Sequence, residues 1–233
     1  MKKTIETIGL DADDTLWHNE RFFKTTQAHF KQLLSGFVDQ DVLEEQLLDA
    51  ETRNLELYGF GVKSFTLSMI ETAIEVTGGK LSGHIIQEIL DVGREMLSHP
   101  IELLPHARTT IESLTDNYRV LLITKGDLLD QERKLAESGL GDLFDGVEIV
   151  SDKTVAVYER IFAKYSGGAE RAMMVGNSLK SDMIPALDAG SWGVHVPHGL
   201  TWSYEHADAP ITHERFREVA DLGALQELLD EIN

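Results

Sequence analysis

The sequence contains no cysteine, and its basic residues are few compared with its acidic ones. Without cysteine the chain forms no disulfide, offers no thiolate to a metal and has no cysteine nucleophile. Its 21 Lys and Arg residues against 40 Asp and Glu residues give a formal net charge of −19. Because nucleic acids and anionic membranes are bound through an excess of Lys and Arg, this charge disfavours both as partners.

Long apolar runs are also absent. No stretch approaches the roughly 20 apolar residues that cross a bilayer. Glu6 and Asp11 interrupt the apolar stretch that a signal peptide would need after the basic start. With 42% hydrophobic residues in 233, the chain can still form a full globular core of one or two domains. We therefore predict a cytoplasmic protein, and the sequence predicts nothing about its oligomeric state.

The spacing of apolar residues divides the chain into two kinds of segment. Residues 19–98 carry apolar side chains at helical intervals, with breaks at glycines. After Pro100, short apolar strands alternate with helical segments, and residues 214–232 read as a closing helix. Alternation of this kind indicates a parallel sheet covered on both faces. We predict an α/β fold with a Rossmann-like core.

The predicted core combines residues 1–17 and 100–233, and residues 18–99 form an all-helical insertion after the first strand. Parallel sheets bind ligands beyond the carboxyl ends of their strands. Polar side chains follow four of the predicted strands at that edge: Asp11 and Asp13, then Thr124, then Lys153, then Asn177, Ser178 and Asp182.

This set of side chains fits a cation and an anion together. Crowded carboxylates repel one another unless a cation binds between them, and carboxylate, amide and backbone oxygens suit Mg²⁺. Lys153 and Thr124 are suited to hold an anion such as a phosphoryl group. A carboxylate at such a site can attack phosphorus, and a second carboxylate can then transfer a proton to the leaving oxygen.

The same residues resemble the motifs of the haloacid dehalogenase-like (HAD) hydrolases. The segment Asp11-Ala12-Asp13-Asp14-Thr15 resembles motif I, and Thr124 and Lys153 match motifs II and III. The segment 176–182, which reads Gly-Asn-Ser-Leu-Lys-Ser-Asp, resembles the acidic motif IV. The helical insertion resembles the type C1 cap of that family.

The resemblance implies a Mg²⁺ site and two catalytic carboxylates. By the family pattern Asp11 is the nucleophile and a metal ligand. Asp13 is the general acid and base, and its backbone carbonyl also binds the metal. Asp182, together with Asn177, completes the Mg²⁺ site.

The resemblance also implies how a substrate is held. Thr124 and the backbone N–H of Lys125 bind the phosphoryl group, and Lys153 links phosphate and nucleophile. In the insertion, residues 58–65 read as an aromatic loop that selects the substrate, and Lys63 is its candidate for binding. A plain connection between two helices is the alternative for that loop.

Two positions depart from the family pattern. Motif IV has Asn177 where many members have Asp, which removes one negative charge and leaves open whether Asn177, Ser178 or Asp182 binds the metal directly. Thr154 follows Lys153 where a proline is frequent. Outside the motifs, His195 and His198 have no metal-binding spacing, and we interpret them as structural or surface residues.

The combined motifs predict a Mg²⁺-dependent phosphatase that acts on a small phosphorylated metabolite through an aspartyl-phosphate. The dehalogenases of the family lack the second Asp because a halide leaves without a proton, so Asp13 favours ester cleavage. A 2-haloacid dehalogenase, a phosphomutase and a non-catalytic binding protein with the HAD fold remain alternatives.

Overall fold

A computed structural model describes residues 4–232 and divides the chain into two compact units. One unit comprises Met1–Glu20 and Ile101–Asn233, and the other comprises Arg21–Pro100. The first contains a sheet with helices, and the second is helical. The predicted α/β fold with a helical insertion is confirmed. The sequence predicts an insertion over residues 18–99, and the helical unit here comprises Arg21–Pro100.

The first unit is built on a parallel sheet of six strands in the order β3-β2-β1-β4-β5-β6. The strands are β1 Thr7–Leu10, β2 Arg119–Lys125, β3 Gly146–Val150, β4 Ala172–Gly176, β5 Trp192–His195 and β6 Phe216–Glu218. Successive side chains of a strand point to opposite faces. Leu122 and Val175 accordingly contribute to one hydrophobic core, and Leu121 and Met174 contribute to the other.

The helices fall into two groups. The second unit is formed by α1 Glu20–Leu33, α2 Gln40–Tyr58, α3 Val62–Val76 and α4 Gly83–Met96. The helices of the first unit, which pack on the sheet, are α5 Ala107–Thr115, α6 Leu128–Ser138, α7 Val155–Ser166, α8 Ile184–Asp188 and α9 Leu225–Ile232. Phe30, Leu34 and Met69 are among the buried side chains in the core of the helical unit. Among residues 4–232, no helix is both long enough and apolar enough to cross a membrane.

The register of the sheet brings three strand ends to one edge. Leu10 of β1 lies beside Leu122 of β2 and Val175 of β4. Because all these strands run parallel, the residues that follow them leave the sheet on the same side. Asp11 and Asn177 therefore emerge at the edge where β2 ends.

Two local predictions are wrong. The closing helix over 214–232 is instead the edge strand β6 followed by the short helix α9, because Phe216 pairs with Gly193 and buries its ring against the sheet. The loop over 58–65 is confined to residues 59–61, since α2 ends at Tyr58 and α3 begins at Val62. Gly59 and Gly61 have φ angles of 73° and 118°, which permit the sharp break.

Candidate active site

Asp11 lies directly after β1 and is buried. Its backbone N–H continues the sheet by donating to the carbonyl of Val175 at 2.9 Å. One carboxylate oxygen, Oδ1, is 2.5 Å from Nζ of Lys153, and the other accepts a hydrogen bond from Oγ1 of Thr15 at 3.1 Å. The predicted nucleophile is thus fixed at the strand end with a lysine in contact.

Burial dominates the electrostatics of this carboxylate. It raises the pKa of Asp11 to about 7, and the negative charge of Asp182 adds to the rise while Lys153 opposes it. Burial alone would lower the pKa of Lys153, but the two carboxylates outweigh it and raise that pKa, so the lysine stays charged. A positive charge added beside Asp11 would favour its ionised, nucleophilic form.

Asp182 lies on the other side of the same lysine. Its Oδ1 is 2.6 Å from Nζ of Lys153, and its Oδ2 accepts the backbone N–H of Ser178 at 3.0 Å. It belongs to a single π-helical turn, Leu179–Met183, that follows β4. When both carboxylates are ionised, two negative charges share one ammonium and the group retains a negative charge. Each oxygen of Asp182 keeps a lone pair for a further partner.

The side-chain amide of Asn177 faces only oxygen atoms on one side. The nearest are Oδ2 of Asp11 and the backbone carbonyl oxygen of Asp13, each 3.2 Å away. If the amide nitrogen lies on that side, it donates a hydrogen bond to both oxygens. If the amide oxygen lies there, it converges with the oxygens of Asp11 and Asp13, and the three can bind one cation. A hard cation such as Mg²⁺ prefers oxygen ligands of this kind. The residues after β1 and β4 therefore fit the predicted metal.

The carboxylate of Asp13 is held by three donors that sequence reasoning missed. Nε1 of Trp17 donates to Oδ1 at 2.7 Å, and Nε2 of Gln131 donates to Oδ2 at 2.8 Å. Nζ of Lys134 lies 3.0 Å from Oδ1 and 3.1 Å from Oδ2. Gln131 and Lys134 are three apart on α6, so helical spacing after the second strand could have indicated a shared face.

The predicted phosphoryl-binding residues lie at the end of β2. Thr124 is fully buried, and its hydroxyl has no hydrogen-bond partner within residues 4–232. A buried hydroxyl without a partner is costly, so it is available to a ligand. The chain turns at Gly126, whose φ of 141° is unfavourable for other residues.

The side chain of Lys125 is engaged by an acidic residue and a serine. Its Nζ is 2.5 Å from Oε1 of Glu205 and 2.7 Å from Oγ of Ser181. Oε2 of Glu205 accepts hydrogen bonds from the hydroxyls of Ser178 at 2.6 Å and Ser181 at 2.5 Å. Burial alone would raise the pKa of Glu205, but Lys125 and the two hydroxyls outweigh it and lower that pKa. Nothing in the sequence indicated that the segment after β5 reaches these residues.

His195 packs and hydrogen-bonds within the sheet edge. Its Nδ1 is 2.8 Å from Glu218 and its Nε2 is 3.1 Å from the backbone oxygen of Asn177. It thereby fixes the backbone of a predicted metal ligand, which agrees with a structural role.

His198 lies with two other possible ligands beside the site. One ligand atom each of Asp14, His18 and His198 lies within 4.8 Å of the others. Both oxygens of Asp14 accept hydrogen bonds from backbone N–H groups, those of Asn19 and Glu20, at 2.9 Å each.

Lys63, the predicted substrate-binding residue of the insertion, belongs to the helical unit, where it is exposed at the start of α3.

Comparison with known proteins identifies the family. The family model for haloacid dehalogenase-like hydrolases matches residues 5–190. A solved structure of a haloacid dehalogenase-like family hydrolase from Xanthomonas campestris is 41% identical, with a TM-score of 0.88. The match covers 99% of this chain and 93% of that one.

Two curated relatives are more distant. A glyceraldehyde 3-phosphate phosphatase of Methanothermobacter thermautotrophicus is 23% identical, over 84% of this chain and 88% of its own. The pyrimidine 5′-nucleotidase YjjG of Escherichia coli is 23% identical, over 78% of this chain and 82% of its own. Two solved 2-haloacid dehalogenases match at 20% and 14% identity, which shows a shared fold and nothing finer. The chain therefore belongs to the haloacid dehalogenase-like hydrolases.

Proposed function

We propose that the protein is a Mg²⁺-dependent phosphatase that cleaves a small phosphate monoester through an aspartyl-phosphate on Asp11. One observation carries the proposal. The Asp11 carboxylate has the Lys153 ammonium 2.5 Å from one oxygen and the oxygen-facing amide of Asn177 3.2 Å from the other. A nucleophilic carboxylate for phosphoryl transfer needs a positive charge beside it, which Lys153 supplies.

In the first step, an oxygen of Asp11 attacks phosphorus and the bond between phosphorus and the ester oxygen breaks. Protonated Asp13 gives its proton to that ester oxygen, which leaves as an alcohol. The Thr124 hydroxyl, the backbone N–H of Lys125 and the Lys153 ammonium hold the phosphoryl oxygens. The availability of the buried Thr124 hydroxyl supports this assignment.

In the second step, ionised Asp13 takes a proton from water, and the water oxygen attacks phosphorus. The acyl-phosphate bond breaks, which releases inorganic phosphate and restores the carboxylate of Asp11. The net reaction is monoester plus water to alcohol plus phosphate, and Asp13 ends the cycle protonated as it began.

Mg²⁺, when bound, supplies positive charge that favours ionised Asp11 and offsets the charge of the phosphoryl group. The residues that would hold it are Asp11, the backbone carbonyl of Asp13, Asn177 and Asp182. Besides its role as a metal ligand, Asp182 contacts Lys153 and thereby helps to orient the lysine toward Asp11. Asn177 in place of a carboxylate reduces the negative charge of the ligand set.

Asp13 favours ester hydrolysis over dehalogenation, because only an alcohol leaving group requires a proton. Both curated relatives carry names of enzymes that act on small phosphorylated compounds. A small phosphorylated metabolite in the cytoplasm is accordingly the proposed substrate, and the net charge of −19 disfavours a large polyanion. Substrate selection by the helical unit acting as a cap, including Lys63, stays a prediction.

The proposal is tested by phosphate release from a panel of phosphorylated metabolites and p-nitrophenyl phosphate, with Mg²⁺ and with a chelator. We expect release only with the metal, and we expect Asp11→Asn to abolish it. Asp142→Asn changes an exposed carboxylate in the same unit and should retain full activity.

The rival activities have distinct products. Chloride release from a 2-haloacid without metal, and no phosphate release, would replace the phosphatase with a dehalogenase. Isomerised product in place of free phosphate would indicate a mutase. Activity retained in Asp11→Asn would contradict the nucleophile.

A further inference from the structure

We propose that Lys134 is the positioning residue for Asp13, which rests on the proposed phosphatase function. Lys134 lies on α6 and is buried. Its ammonium contacts both oxygens of the Asp13 carboxylate, at 3.0 Å and 3.1 Å. A single ammonium close to both oxygens attracts the whole carboxylate and makes charge-assisted hydrogen bonds with it.

Lys134 is itself held on a second side. Its Nζ donates to Oδ1 of Asn19 at 2.9 Å. The nearby carboxylate of Asp130 is 3.5 Å away and has its own partner, Arg133, at 2.9 Å. Asp13 is therefore the main charge partner of Lys134, and the lysine cannot turn away without losing two hydrogen-bonded partners.

Two further donors bind Asp13, each at a different oxygen: Nε1 of Trp17 at Oδ1 and Nε2 of Gln131 at Oδ2. Both donors are uncharged. Of the three donors, Lys134 is the one that reaches both oxygens and the one that holds the carboxylate by charge as well as by hydrogen bonding. A proton donor must be held at a fixed distance from the leaving oxygen, because a displacement of about 1 Å can cost roughly 100-fold in rate.

This role predicts a loss that depends on the leaving group. Phenyl phosphate and p-nitrophenyl phosphate are nearly the same size, but phenolate is much the poorer leaving group and needs the proton more. The ratio kcat/KM covers steps up to departure of the leaving group, so it reports Asp13 as acid and excludes its later action as base. Comparing two esters within one variant cancels any loss of folded enzyme.

We expect Lys134→Met to lower kcat/KM for phenyl phosphate by about 10- to 100-fold and for p-nitrophenyl phosphate much less. Slow hydrolysis of the aspartyl-phosphate should then give a burst of p-nitrophenol in the variant. Lys134→Arg, which keeps the charge, should recover part of the loss. Lys164→Met removes an exposed lysine of the same unit and should leave the ratio of the two esters unchanged.

Equal losses on the two esters would overturn the proposal and leave Lys134 with a structural role. If Lys134→Met does not fold, Lys134→Gln carries the test, because it keeps an amide donor at that position and removes the charge. Its ratio of the two esters should move in the same direction by a smaller factor, and an unchanged ratio there would also overturn the proposal. If the wild-type enzyme cleaves neither ester with Mg²⁺, the proposed function fails instead.

Discussion

Replacing Lys153 with Met tests how much the positive charge of this lysine contributes to the stability of the folded protein. The lysine is the one cation in contact with both Asp11 and Asp182 among the described residues, at 2.5 Å and 2.6 Å. Removing one partner of a buried ion pair costs about 3–5 kcal/mol. For a unit of this size, each kcal/mol lowers Tm by about 2–4 °C, so we expect a loss of roughly 6–20 °C in a chelating buffer.

The loss should grow with pH. Without the ammonium, nothing opposes the effect of burial on Asp11, and its pKa rises further above the unfolded value of about 3.9. The folded state then binds more protons than the unfolded state, so stability falls as pH increases up to the raised pKa. Proton uptake by Asp11 offsets the penalty by about 1.4 kcal/mol per pH unit. Lys153→Met should therefore be nearest to wild type at pH 5 and furthest from it at pH 9.

Thermal unfolding followed by circular dichroism at several pH values measures both effects. Lys164→Met, which removes an exposed lysine from its contact with Glu148, serves as the control and should lower Tm much less. Adding Mg²⁺ should raise Tm more in Lys153→Met than in wild type, since a bound cation replaces the missing charge. Wild-type stability of Lys153→Met at pH 9 in chelator would refute the reasoning.

Two further predictions concern neighbouring contacts. Glu205→Gln should cost about 1–3 kcal/mol at pH 7. Because the folded pKa of Glu205 is lowered, its stabilisation is present above the unfolded pKa of about 4.3 and is lost as pH falls through the folded value. Denaturant curves of the two proteins should therefore converge as the pH is lowered below about 4.3. Gly176→Ala should destabilise by about 1–3 kcal/mol and lower kcat, since a Cβ there would overlap the Asp182 carboxylate that contacts Lys153. Wild-type unfolding and turnover in Gly176→Ala would contradict that overlap.

The core fold could be predicted because its signals are local. Strands β1 and β4 are buried along their whole length, and an apolar run of strand length followed by a helical segment specifies a parallel sheet. The edge strand β6 could not be predicted, because it lacks such a local signal. It has three residues, and only Phe216 is buried. Its pairing with β5 is a contact between distant parts of the chain, which the spacing of apolar residues does not reveal.

The site could be predicted only in part. Asp11 and Asn177 follow buried strands, and strand order brings their backbones together whatever their side chains do. The contacts of Glu205 with Lys125 and Ser178 depend on the path of a long segment after β5, and no spacing rule gives that path. Lys134 could be predicted in part, because the sequence indicates its helix but not its contact with Asp13.

The buried indole of Trp17 gives the protein an optical reporter. Its Nε1 donates to Asp13 at 2.7 Å, and its ring is fully shielded from water. Indole emission responds to the charge and motion of groups in contact with the ring, so binding at Asp13 should register as a change in fluorescence without any label. The chain has two other tryptophans, Trp192 and Trp202, and replacing both with Phe would leave a signal from Trp17 alone. Binding could then be timed in a stopped-flow instrument before any product forms.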